Sequence, residues 1–526
     1  MTGAAEGTSG ERDDDSPTST EDEFNPATLD DENESVGRQA ARGVLWMTAQ
    51  KWVARAGGLA TITILTRLLQ PEDFGLVAIA WTIVTLTYVL SDMGLATYII
   101  QSEKIDRGTL STAFWVSLIV GLALGGVIFL LAPLLANALN TLAAAPILQA
   151  MAGLILVISA SSVPLALMRR RMAFRRLAAQ EVTGALIAQV VAIVAAFEGL
   201  GVWALVLQLM VGQLITSSLM WVSARWRPTM DFSRNDFSTM IRFGVQVVGN
   251  GLVSVFRSWA ETGIIVGGLG IRELGYFNIA QRLVQTATDL SGSALFPVST
   301  VAFARSNSSM GRLRVTYAKA IAVSQAVVTP LMVYIAVSAS TLVPFLFGAE
   351  WTLSAQVAQP LAIAAALAFG VNVDHGLHNG VGKPGRWLGF STAIFAVSAA
   401  FMLIAVPHGM LAVALAFVAT ALVETVGRWV VVSRLLGQGV IRTALPFLSV
   451  LPAASASAAA GVGAMVALGS APDLVTLAVT GIVVVGVHMA ITRLVTPAVW
   501  SDLVSVLPKR GGRSAASARD GGTESP

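Results

Sequence analysis

Hydrophobic residues in this chain neither alternate nor recur in short amphipathic periods. They run for about 20 residues at a time between short polar turns, the pattern of membrane-crossing helices. Fourteen such stretches are readable: 43–68, 73–95, 112–135, 146–168, 178–198, 201–223, 243–268, 274–300, 319–347, 353–378, 387–407, 409–433, 445–468 and 473–496. At 1.5 Å per helical residue each can cross a hydrocarbon core about 30 Å thick. The pattern therefore predicts an all-α polytopic membrane protein of about 14 transmembrane helices, inserted by its first span without a cleaved leader.

The exceptions inside the spans carry the chemistry. Span 1 holds Lys51 and Arg55 in its middle. Each such charge costs roughly 2.5–3.5 kcal/mol at a helix centre, about 5–7 for the pair, unless a partner or water compensates it. Their i, i+4 spacing places them on one face, where they serve either as an anion site or as partners of a carboxylate on a neighbouring helix. Span 7 carries Gln246, Asn250, Ser254, Arg257 and Glu261, spaced as one helix face. Span 8 does the same with Asn278, Arg282, Gln285, Asp289 and Ser293, and span 2 more weakly with Trp81, Thr85, Tyr88 and Asp92. Lipid gives a chain no reason to build such faces, so they predict a hydrated cavity.

By rise per residue, Arg55, Arg257 and Arg282 fall about 18, 21 and 18 Å from the inner edge, one layer near the midplane. Lys51, Arg55, Arg257 and Arg282 are thus the candidate cationic binding residues, and Gln246, Asn250, Ser254, Asn278 and Gln285 the candidate polar lining. Two deep carboxylates oppose the four basic groups. Glu261 is placed to neutralise Arg257, and Asp289 to pair with Arg282 or Lys51. The remaining positive charge matches a diphosphate, whose oxygens suit the arginine fork. Glu261, Asp289 and Asp92 are candidates for ion coupling.

Composition agrees with the pattern: 526 residues, 55% hydrophobic and 12% charged, with mean hydropathy +0.71, fit no water-soluble domain. The formal charge of +3 conceals an asymmetry. Residues 1–38 hold twelve acidic residues against Arg12 and Arg38, leaving the remaining chain at net +13. Residues 1–38 and 501–526 read as disordered cytoplasmic tails. With the N-terminus inside, basic residues collect in alternate turns, from Arg169-Arg170-Arg171 to Arg305, Lys383 and Arg428, while the outer turns keep only Arg67 and Arg272. The positive-inside rule then puts both termini in the cytoplasm of a plasma-membrane protein.

The absence of cysteine excludes disulfides, thiolate metal sites and cysteine nucleophiles. Asp374, His375 and His378 have spacing that could hold a metal, yet they sit among glycines at the inner end of span 10 and read as a polar helix end, so no metal is assigned. No Gly-rich phosphate loop follows a strand, and the outer turns are too short for catalytic machinery. The chain reads as a non-enzyme without cofactor or nucleic-acid partner.

A shift of 200 residues lays Asp73-Phe74-Gly75 over Glu273-Leu274-Gly275, with the same order of basic start, long span, acidic turn and second span. Both copies enter from the same side, which predicts two six-helix lobes related as parallel repeats. They comprise residues 39–225 and 226–436, with two further helices over 437–500.

Several segments resemble the Wzx-type polysaccharide transporters, a family of lipid-linked oligosaccharide flippases in the superfamily that includes multidrug extruders and the lipid II flippase. They are RGVLWMTAQKW from Arg42, TRLLQPEDFGLVAIA from Thr66, DMGLATYIIQ from Asp92, MRRRMAFRRLAAQEV from Met168, GLGVWALV from Gly199 and GYFNIAQRL from Gly275. The likeness covers residues 40 to about 435. It implies a V-shaped pair of lobes alternating between inward-open and outward-open states. It further implies a substrate glycan on undecaprenyl diphosphate moved to the outer leaflet, with membrane lipid and polysaccharide polymerase or export machinery as partners. Basic cavity residues near the first helix of each lobe correspond by helix to Lys51, Arg55, Arg257 and Arg282. A cation-coupled multidrug antiporter and a lipid II-type flippase are the alternatives of the same fold.

Overall fold

Every element among the described residues is helical, because in lipid each backbone N–H and C=O has to be paired within its own segment. The computed structural model describes residues 52–92, 95–101, 105–138, 141–292, 303 and 309–506, all within one compact unit, Met47–Pro526. In chain order the helices are α1 (52–68), α2 (Pro71–Asp92), α3 (Leu95–Gln101), α4 (Arg107–Ala138), α5 (Ala144–Arg170), α6 (Phe174–Phe197), α7 (Val202–Ala224), α8 (Arg234–Leu269) and α9 (Ile271–Gly292). They continue with α10 (Met310–Phe347), α11 (Thr352–Ala368), α12 (Val371–Gly380), α13 (Pro384–Ala405), α14 (Met410–Leu436), α15 (Val440–Leu448), α16 (Leu451–Ala467), α17 (Asp473–Val495) and α18 (Pro497–Val506).

Each of the fourteen predicted ranges holds helix over its described part. Ten spans among the described residues are long and apolar enough to cross a membrane. The other four ranges hold α1, α2, α8 and α9. Of these, α1 is described over only its last 17 residues, and α9 is diluted by Asn278, Gln281, Arg282, Gln285 and Asp289. Exposed Leu130, Leu134, Val190, Phe197 and Ile404 face outward as lipid-contacting side chains do.

Two predicted spans are broken helices. Span 10 is divided into α11 and α12 at Phe369-Gly370, and span 13 into α15 and α16 at Ser449-Val450, between Pro446 and Pro452. Residues 501–506, expected in the C-terminal tail, instead lie in α18, which Lys319 holds by an ion pair to Asp502 at 2.7 Å. Residues 1–38 and 507–526 lie outside the described residues.

Packing repeats between the first and second groups of six spans. α2 packs on α4 and α5 as α9 packs on α10 and α11. Likewise α4 and α5 match α10 and α11, α6 and α7 match α13 and α14, and α5 on α7 matches α11 on α14. The two groups meet directly where α2 runs against α9. There a Cβ on Gly75 would lie 2.3 Å from the carbonyl oxygen of Ile271, and one on Gly275 would lie 1.9 Å from that of Pro71, so only glycine permits the approach. A second glycine shapes the entry to α9: Gly270, at φ +103°, turns the chain out of α8 in a conformation a side chain would strain.

The core that joins the groups is packed around this crossing. Trp351 is fully buried, donates from Nε1 to the Thr66 carbonyl at 3.0 Å, and meets the rings of Phe74 and Tyr276 edge-on. Arg67 donates to the Phe345 carbonyl at 3.0 Å, and Trp259 to that of Thr82 at 2.9 Å. The ends of α1 and α10 and the starts of α2 and α9, which the charge pattern assigns to the outer face, are thereby held together. α15, α16 and α17 stand beside the paired groups and pack chiefly on α10.

Candidate functional site

Below the α2–α9 crossing a cavity of 710 Å³ opens between the two groups of helices. Its polar wall is one face of α9, where Asn278, Gln281, Arg282, Gln285, Thr286 and Asp289 recur every three or four residues. α1 contributes Arg55, α2 contributes Trp81 and Thr82, and α8 contributes Glu261 and Thr262. The volume falls within the range of small-ligand sites.

The charges are paired unevenly. Arg55 on α1 is ion-paired with Asp289 on α9, each about one-third exposed, and Gln285 donates to the same carboxylate at 2.9 Å. The partner of Asp289 is thus Arg55, where the sequence pointed to Arg282 or Lys51. Arg257 is bound by Glu261 at 2.9 Å, as their i, i+4 spacing predicts. Arg282 is exposed to the cavity, and its guanidinium has no carboxylate or hydrogen-bond partner among the described residues. It is the one arginine on this wall whose charge is uncompensated there.

Arg257 does not line that cavity. It lines a neighbouring cavity of 310 Å³ inside the second group of helices, with Glu261, Gln281, Gln285, Thr288 and Glu424. A rise-per-residue estimate gives depth but not rotation about the helix axis, so it could not separate Arg257 from Arg55 and Arg282. A third cavity of 550 Å³ lies inside the first group, walled by α2, α5, α6 and α7, with Arg282 reaching in from α9. It shares Trp81, Gln189 and Arg282 with the central cavity, so the two spaces adjoin.

Of the remaining predicted residues, Asn278 and Gln285 line the central cavity. Lys51 lies outside the described residues, as do the side chains of Gln246, Asn250, Ser254 and Asp92.

The sequence reading missed two buried charges. Arg428, assigned to an inner turn, is fully buried in α14 and bound to the equally buried Asp374 of α12 at 3.0 Å, with Tyr317 donating to the other carboxylate oxygen at 2.8 Å. Arg428 is four residues beyond the buried Glu424, an i, i+4 signal that its place near the end of the span concealed. Asp374 is therefore a partner in an ion pair, and His378, also buried, donates from Nδ1 to the Asp374 carbonyl at 2.8 Å while its ring packs on Trp387. No cluster of metal-ligating residues occurs among the described residues. The ion pairs Arg55–Asp289, Arg257–Glu261 and Arg428–Asp374 thus leave Arg282 without a carboxylate partner among the described residues.

Comparison with known proteins gives a consistent result. A family described as polysaccharide biosynthesis protein matches residues 64–356. The succinoglycan biosynthesis transport protein ExoT of Rhizobium meliloti is 26% identical over 330 residues, 63% of this chain and 67% of that one. The lipopolysaccharide biosynthesis protein WzxC of Escherichia coli is 24% identical over 339 residues, 63% of this chain and 68% of that one. Among solved structures, the lipid II flippase MurJ in an inward closed conformation superposes with a TM-score of 0.70 at 12% identity, covering 86% of this chain and 99% of that one. An inward-facing multidrug transporter of the MATE family gives 0.58 at 17% identity, covering 72% and 95%.

Proposed function

The chain belongs to the polysaccharide biosynthesis protein family, and from that premise we propose that it is a flippase for a polyprenyl-diphosphate-linked oligosaccharide in the cytoplasmic membrane. The observation that carries the reading is Arg282, an uncompensated guanidinium on the polar wall of a cavity between two matched groups of helices. An unpaired arginine at such depth is costly unless an anion visits it, and a diphosphate offers the paired oxygens its fork is shaped to hold. A multidrug antiporter for cations gains nothing from that charge.

In this reading the two groups are lobes, residues 39–225 and 226–436, that rock about the α2–α9 crossing. Helices 13 and 14 of the fourteen-span arrangement, built from α15 to α17, stand outside the repeat. The outer ends are joined through Trp351, Thr66, Arg67 and Phe345, so the cavity faces inward and receives the headgroup from the cytoplasmic leaflet. Arg282 engages the diphosphate first. Arg55 then leaves Asp289 for phosphate oxygens, and Asp289, losing its cation, takes up a proton or metal ion. That exchange ties loading to ion uptake and makes Asp289 the coupling residue, while Glu261 stays with Arg257. Rocking breaks the outer contacts and exposes the headgroup to the other leaflet, the prenyl chain remaining in lipid.

The test is depletion of the protein in its host, with the leaflet of the diphosphate-linked oligosaccharide read by an impermeant glycan-modifying reagent. Build-up in the inner leaflet is expected, cleared by wild type, not by Arg282→Ala, and partly by Arg282→Lys, which keeps charge but not the fork. Absence of build-up, with altered resistance to cationic drugs, would replace this reading by the antiporter.

A further inference from the structure

The cavity inside the first group of helices has a composition that the diphosphate does not explain. Gln189, Gln208, Gln213, Glu181, Thr216 and three serines supply its polar surface together with Arg169 and Arg282, and Trp81 leaves 47% of its surface open on its edge. An indole left open inside a protein is an apolar face awaiting a ligand. Much of the hydrogen-bonding capacity is also unspent. Gln208 and Glu181 have no side-chain partner among the described residues, and Gln213 donates to Ser217 at 3.0 Å with its amide oxygen open. Amides that donate and accept, a carboxylate that accepts from neighbouring hydroxyls, and an aromatic face for ring C–H groups are together the complement of a pyranose.

The matching space in the second group is different. It is smaller, at 310 Å³, and sets the two carboxylates Glu261 and Glu424 about Arg257, with no exposed tryptophan. An anionic lipid-linked sugar is repelled there and accommodated in the first.

Resting on the flippase reading, we infer that the first-group cavity is the saccharide subsite. Trp81 stacks the sugar attached to the diphosphate, Gln208, Gln213 and Glu181 bind its hydroxyls, and Arg282, which borders both cavities, holds the phosphates at the junction. The two lobes are thus unequal in role, and these residues of α2, α6 and α7 choose the glycan.

The test uses the full chain purified into nanodiscs and measures binding of undecaprenyl diphosphate, bare or carrying one hexose or one N-acetylhexosamine. Wild type is expected to bind at least one sugar-bearing lipid about tenfold tighter than the bare one. In Gln208→Ala/Gln213→Ala that increment should vanish while the bare lipid binds within twofold of wild type, and in Trp81→Ala, whose ring also borders the central cavity, the ratio of sugar-bearing to bare-lipid affinity should fall to about one. Trp81→Phe, which keeps a stacking face, should retain most of it and shows that loss in Trp81→Ala is not misfolding. No increment in wild type, or one that survives the glutamine and tryptophan substitutions, would overturn the subsite. Failure of Arg282→Ala to weaken the bare lipid would instead overturn the flippase reading on which it rests.

Discussion

Gly75 and Gly275 pack reciprocally: each lies against the backbone four residues before the other, Gly75 on Ile271 and Gly275 on Pro71. Positions 71 and 75 become 271 and 275 under the same shift of 200 that the sequence shows, so the contact is its own image under a two-fold operation. A local pseudo-axis therefore passes between α2 and α9.

Gly275→Ala should separate these helices, since its Cβ would fall 1.9 Å from a backbone oxygen that cannot swing aside. Overpacking of this kind costs about 1–3 kcal/mol. The expected result is a melting temperature in detergent several degrees below wild type and reduced membrane yield. Gly267→Ala, which meets nothing within 4 Å, is the control and should melt as wild type does.

The buried pair Asp374–Arg428 makes an asymmetric prediction. Arg428 already leaves Nε and Nη2 without partners, and Gly370 is the residue that makes room for it, since a Cβ there would sit 2.0 Å from Nη1. Asp374→Leu alone strands a buried guanidinium and should destabilise by about 3–5 kcal/mol, whereas Asp374→Leu/Arg428→Met should recover most of that loss. Thermal melting of the two variants side by side decides it; equal losses would mean the pair is not coupled.

For the central cavity, the Arg55–Asp289 pair should resist ligand, because a phosphate has to displace the carboxylate. Asp289→Asn is expected to bind undecaprenyl diphosphate roughly three- to tenfold more tightly yet to flip it more slowly, and Arg55→Ala to weaken binding by about tenfold or more. Tighter binding with unimpaired flipping in Asp289→Asn would remove Asp289 from the coupling step.

Asp106 supplies a pH dependence outside the membrane spans. It caps α4, its carboxylate accepting from the Thr109 hydroxyl and backbone N–H, the latter at 2.7 Å, and these bonds hold its pKa below the ordinary 3.8. A lowered folded-state value means the carboxylate stabilises the fold at all pH above 3.8, and that this contribution is lost as pH falls through the lower folded value. Asp106→Asn should therefore melt below wild type at neutral pH, with the gap closing in strong acid. A gap independent of pH would show that the charge is irrelevant.

The spans, the polar face of α9 and the duplicated turn were all legible in the chain. They follow from backbone pairing in lipid and from the 3.6-residue period, which are properties of each segment by itself. The sequence also marked Arg55, Asp289, Arg257 and Glu261 as charges needing an account, and paired the last two by spacing. What only the tertiary structure decided is which charge meets which across helices. Asp289 went to Arg55, Arg428 was drawn inside to Asp374, Arg257 turned into the second-group cavity, and Arg282 was left uncompensated. Those outcomes depend on how each helix is rotated and how closely its neighbour approaches. Those two quantities were set by small residues such as Gly75, Gly275 and Gly370, whose significance appears only when the opposing backbone is in place.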